Sequence, residues 1–191
     1  MDFRKIPAAK ARGIRNNNPF NLVKTAIKWQ GKVKGTDSRF ETFATIQEGI
    51  RAGVIDIMGD IGAKKLNTID KLINVFAPPF ENDTTSYINY VSSVTGKKPN
   101  DTLTDASGKI DQALLAKIVT AIINKENGAD QAKLIPANVI SEGIASALNN
   151  PTAKKYIVGG APRTKNPINK DYTGVIFMVI LAGLIIKSFI K

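Results

Sequence analysis

Glu126 stands four residues after Ile122 in a stretch where Leu114, Leu115, Ile118, Val119, Ile122 and Ile123 recur at helical spacing. Residues four apart share a helix face, so this carboxyl lies on the rim of the apolar stripe. Partial removal from water and the negative end of the helix dipole, just before the Asn127-Gly128 stop, both disfavour its charged form. A carboxyl kept protonated near neutral pH is the general acid that cleavage of a glycosidic bond requires. The position by itself suits an ordinary solvated glutamate beside a helix stop more readily, and local pattern alone does not assign catalysis.

The other candidates carry weaker signals. Glu81 lies in Pro78-Pro79-Phe80-Glu81-Asn82-Asp83-Thr84, between two expected helices. Site residues sit on such junctions, but a glutamate there also favours the start of the next helix, which Asp83 or Thr84 caps. Tyr87 and Tyr90 suit the core or its rim. Glu41 and Asp37 belong either to a cleft or to exposed strand and turn positions.

Composition narrows the chemistry. The chain has neither His nor Cys, which excludes thiol proteases, Ser-His-Asp hydrolases, His- or Cys-ligated zinc and disulfide scaffolds. Hydrolysis, if any, must run on carboxylates, Tyr, Lys, Ser or Thr, and no cofactor is expected. Lys plus Arg number 27 against 16 Asp plus Glu, a formal charge of +11, so polyanions such as an anionic cell wall, acidic lipid or nucleic acid attract it. The 191 residues allow one globular domain and a tail, not two catalytic domains.

Several helices must position these residues. Thr45-Ile-Gln-Glu48 has the form of a capping box and starts a helix through Ile50, Val54, Ile57 and Met58. A second is expected from Asn67-Thr68 to Pro78-Pro79, a third from Asp83-Thr84 to Gly96, then the Glu126 helix, then one over about 139–148. Residues 16–44 hold short apolar pieces around Leu22, Trp29, Val33 and Phe40–Phe43, separated by Gly31 and Gly35, and predict a small β-hairpin region. The expected class is mainly α with a minor β element.

The ends read differently. Residues 1–15 are basic and aperiodic and are expected as an arm; residues 16–148 form the domain; residues 149–171, rich in Pro, Gly and Lys, read as a linker. From Gly174 to Ile186 no side chain is charged or strongly polar. Extended to 172–190, this predicts a transmembrane helix of about 28 Å, with Tyr172 at the interface and Lys187 snorkelling. The N-terminus has no apolar core of a signal peptide, so a C-terminal, single-pass anchor is expected.

Arg12-Gly-Ile-Arg-Asn-Asn-Asn-Pro19, Trp29-Gln-Gly31, Phe40-Glu-Thr-Phe43, Gly49-Ile-Arg-Ala52, Ala77-Pro-Pro-Phe-Glu-Asn-Asp-Thr84 and Ala121-Ile-Ile-Asn-Lys-Glu-Asn-Gly128 follow one another in order. Over roughly residues 12–148 they resemble a family of phage and prophage virion structural proteins, associated with tailless phages that carry an internal membrane. Ala121–Gly128 and Pro79–Ile88 are also similar to two motifs of the lysozyme-like glycosidases, especially the lytic transglycosylases, in reversed order, as after a circular permutation. The stretch from Asn16 to Trp29 is similar to a segment of the glucosaminidase branch. This second resemblance implies a lysozyme-like α+β fold. It implies Glu126 as general acid, with Glu81, Tyr87, Asn18 and Trp29 binding the glycan, and the sugar's N-acetyl group in place of a second carboxylate.

These readings lead to a virion-associated peptidoglycan glycosidase, tethered to the internal virion membrane, that opens the host wall during entry. The alternative is a non-enzymatic virion protein linking capsid proteins to the membrane. Nucleic acid is not an expected partner: the basic arm carries no nucleic-acid motif or aromatic stacking array.

Overall fold

Thr45 and Glu48 cap each other as their spacing requires: the Thr45 hydroxyl accepts from the Glu48 amide at 3.3 Å, and Glu48 Oε2 accepts from the Thr45 amide at 3.0 Å. The other long helices start by the same logic. The hydroxyl of Thr68 and the carboxylates of Asp83 and Asp111 each accept from the backbone amide three residues on, satisfying donors that a helix start leaves free. Gly96, at φ +75°, ends one of these helices in the left-handed conformation a side chain would resist.

The computed structural model describes residues 1–157. After a 3-10 turn at Phe3–Lys5 come α1 (Arg12–Arg15), α2 (Ile46–Gly62), α3 (Ile69–Phe76), α4 (Thr84–Thr95), α5 (Gln112–Asn127), α6 (Ala129–Ala132), α7 (Ala137–Leu148) and α8 (Pro151–Lys154). Helix α2 is central. Its Ile50, Val54, Ile57 and Met58 are fully buried, and it packs along α7 with α3 and α8 beside it; α4 joins α3 to α5. The loop before α2 lies close because Gly49 and Gly53 lack side chains: a Cβ there would strike the Asn17 carbonyl and the Phe20 ring.

The expected class, mainly α with a small β-hairpin region in a lysozyme-like α+β fold, is corrected by the structure to a mainly helical one without a hairpin among the described residues. Residues 16–44 form no hairpin. They make only isolated bridges, Val23 with Phe40 and Lys32 with Phe43. Two causes are visible. Asn17 and Asn21 adopt positive φ, which interrupts any extended run, and side chains take the backbone amides that a strand ladder would use. The Leu22 amide donates to Asn18 Oδ1 and the Thr25 amide to Glu41 Oε1, each at 3.0 Å. Among the described residues no helix is long and apolar enough to cross a membrane, and the span expected at 172–190 lies outside them.

The expected boundaries also shift. Residues 1–15 pack instead of forming an arm: Phe3, Ala9 and Ile14 are buried, and the Phe3 amide donates to Asn17 Oδ1 at 2.8 Å. Three widely spaced apolar residues create no period to read. The first part of the expected linker also packs, since α8 buries Ala153, and Ile157 pairs with Ile110. Residues 158–171 of that linker lie outside the described residues.

Candidate functional site

Helix α5 delivers Glu126 on its last turn, half-buried, and α4 delivers Tyr87, almost wholly buried. The Tyr87 hydroxyl donates to Glu126 Oε1 at 3.0 Å. From the loop before α2, Asn21 Nδ2 donates to Glu126 Oε2 at 2.9 Å. Burial pushes the Glu126 carboxyl above the ordinary range; the bonds from Asn21 and Tyr87 and the nearby Arg12 charge pull the other way without cancelling it. The Tyr87 phenol is pushed up strongly by burial and by Glu126, so it stays protonated and donates. Lys125 crosses the Tyr87 ring with its ammonium 5.7 Å from the centroid and donates to Ser86 Oγ at 3.1 Å.

Glu81 does not touch this pair. It sits exposed on the turn between α3 and α4, where its carboxylate accepts from Arg39 Nη2 at 2.8 Å. Solvent screens such a pair, which orients the turn more than it stabilises the fold. Asn18 is not available to a ligand: it is fully buried, and its Nδ2 donates to the carbonyls of Leu22 and Glu41, each at 3.0 Å. Glu41 is an interior group too, accepting from Lys32 Nζ at 2.7 Å as well as from the Thr25 amide. Asp37 closes a turn. Its carboxylate accepts from the Phe40 and Arg39 amides and from Asn16, bonds that hold it below the usual carboxylate range.

Trp29 forms part of the wall of a cleft of about 250 Å³ between the loop before α2, α2 itself and α3. Asn21, Val75 and Phe76 also line it, with Asp56 and Asp60 on the α2 side. The Trp29 ring nitrogen is buried without a hydrogen-bond partner among the described residues. Asp60, 4% exposed, pairs with Lys64 at 2.6 Å, while burial and the Asp60 charge push Asp56 up. Asn21 therefore connects two features: it binds Glu126 and lines the Trp29 cleft.

Sequence reasoning missed Asn21, Asp56 and Asp60 as site residues. For Asn21 the only signal is the density of asparagines around Pro19; its partner is 105 residues away. Asp56 and Asp60 lie one helical turn apart on α2, a spacing common on solvated faces. Among the described residues no group of three His, Cys, Asp or Glu side chains is placed to hold a metal ion.

Fold and site together define a small, mainly helical protein in which a half-buried glutamic acid is held by an asparagine and a tyrosine next to an aromatic-walled cleft. No family model matches the chain. Over 124 residues it is 36% identical to Protein P5 of Pseudoalteromonas phage PM2, an alignment covering 63% of this chain and 73% of that protein. The chain belongs to the family of this phage protein.

Proposed function

We propose that this chain is a virion protein that opens host peptidoglycan during phage entry, as a lytic transglycosylase or lysozyme-like glycosidase with Glu126 as general acid. The observation that carries the reading is the setting of Glu126, where burial favours the protonated carboxyl and Tyr87 and Asn21 fix both oxygens. Each oxygen keeps a second lone-pair position, so the acid proton and both bonds coexist. The proton passes to the glycosidic oxygen as the bond to C1 breaks, and the sugar's N-acetyl group stabilises the resulting cation. An intramolecular hydroxyl then closes on C1 and returns its proton to Glu126, giving an anhydro product.

The Trp29 cleft supports the reading with an aromatic wall of a kind that accepts the apolar face of a sugar ring. The net charge of +11 concentrates the protein on an anionic wall. Relationship to a phage protein supports the virion setting.

A second reading, a non-enzymatic virion component linking capsid to internal membrane, is favoured by one observation: the exposed apolar residues Val23, Ile27 and Val75 gather on the rim of one cleft. The two separate on one experiment. The full chain and its Glu126→Gln variant are incubated with purified peptidoglycan, following turbidity and the mass of released fragments. Loss of turbidity with the native chain alone supports the enzyme; equal, flat traces from two folded proteins leave the second reading.

A further inference from the structure

Two guanidinium groups share the Phe40 ring, and they differ in what else they hold. Arg39 lies 5.2 Å from the ring centroid and is paired with Glu81 at 2.8 Å. Arg12 lies closer, 3.9 Å above the same ring, yet among the described residues no carboxylate comes within ion-pair distance of it and it makes no side-chain hydrogen bond. Its charge nevertheless acts on two carboxyls, those of Glu126 and Asp37.

Stacking uses the face of a guanidinium and leaves its edge of N–H donors free. Phe40 is 6% exposed and tied to Val23 by a β-bridge, so the platform under Arg12 is fixed. A flat, positioned fork of donors without an internal acceptor matches a planar carboxylate, which it binds through two parallel bonds. Glu126 is already bonded at both oxygens by Asn21 and Tyr87 and does not fill that role.

We propose that Arg12 forms an anion subsite next to Glu126 that recognises a carboxylate carried by the glycan, on a sugar or on its peptide branch. This rests on the glycosidase reading and narrows it: neutral amino-sugar polymers are poor ligands and acidic ones are good. Arg12 is a specificity residue, and it takes no part in proton transfer.

The test measures binding without turnover, using the full chain carrying Glu126→Gln and calorimetric titration. The probes are soluble peptidoglycan fragments, the same fragments with carboxylates methyl-esterified, and chitin oligosaccharides of equal length. The acidic fragments are expected to bind about tenfold more tightly than the esterified ones. Adding Arg12→Gln removes that preference and leaves chitin-oligosaccharide affinity unchanged, which also shows that the variant is folded; Arg12→Lys retains part of the preference. The proposal is overturned if esterification has no effect, if Arg12→Gln weakens all probes alike, or if no probe binds. Turnover by the native chain is scored separately. Carboxylate-selective binding without cleavage keeps the subsite and removes the enzyme; cleavage indifferent to esterification does the reverse.

Discussion

Asn21 and Glu126, 105 residues apart in the chain, meet through a 2.9 Å hydrogen bond from the carboxamide to Oε2. The bond closes the loop before α2 onto the end of α5. Asn21 adopts φ +50° to make it, a conformation asparagine tolerates better than most residues. The remaining carboxamide oxygen of Asn21 turns toward Gly13, where the Asn127 side-chain oxygen also points. Backbone, loop and acid are thus coupled, and substitutions at any of them reach Glu126.

The first prediction concerns pH. Glu126 is raised above its ordinary value of 4.5, chiefly by burial. Between 4.5 and its raised value the folded state holds more proton than the unfolded chain, so stability falls as pH rises across that window. Glu126→Gln removes this contribution. Asp56, raised by burial and by Asp60, behaves alike in both proteins and drops out of the difference. Urea unfolding over a pH series is expected to show the variant losing less stability than the native chain as pH approaches neutrality. Parallel curves would mean that Glu126 is not held protonated by the fold.

Tyr87→Phe deletes a donor that favours the charged form of Glu126. The carboxyl is expected to titrate higher still, observable as a displaced carboxyl carbon titration by NMR, and the alkaline limb of any glycan-cleaving activity moves with it. The stability loss is about 1 kcal/mol. An unmoved titration would show that Tyr87 does not tune the acid.

Gly13→Ala places a methyl group against the Asn127 side-chain oxygen and 2.9 Å from the Asn18 carbonyl. The expected cost is about 1–3 kcal/mol. Gly59→Ala is the control, because nothing among the described residues lies within 4 Å of its added Cβ inside α2, and it is expected to stabilise by about 0.5–1 kcal/mol. Thermal melts of the two variants should move in opposite directions.

Asn18→Ala strips the side-chain partner from the buried Leu22 amide and Glu41 carbonyl, and one of two donors from the Leu22 carbonyl, which keeps the Glu41 amide. A loss of about 2–3 kcal/mol is expected, with glycan affinity unchanged below the melting transition. A selective loss of affinity with no change in melting would restore Asn18 as a ligand-binding residue.

What the chain determined locally it determined well. Thr45 with Glu48, Thr68, Asp83 and Gly96 mark helix ends through bonds spanning three or four residues, and such bonds leave a pattern in adjacent letters. The same period put Glu126 on the rim of the α5 stripe, where the structure finds it half-buried. Only the tertiary structure decided how the loop before α2 folds, because Asn17, Asn18 and Glu41 hold it through side-chain bonds to distant backbone, which have no period. It also decided that Glu81 turns to Arg39, that Asn18 is interior, and that Asn21 and Tyr87 are the partners of the acid. A helix end is written in its neighbours; a carboxyl's environment is made by residues that meet only when the chain closes on itself.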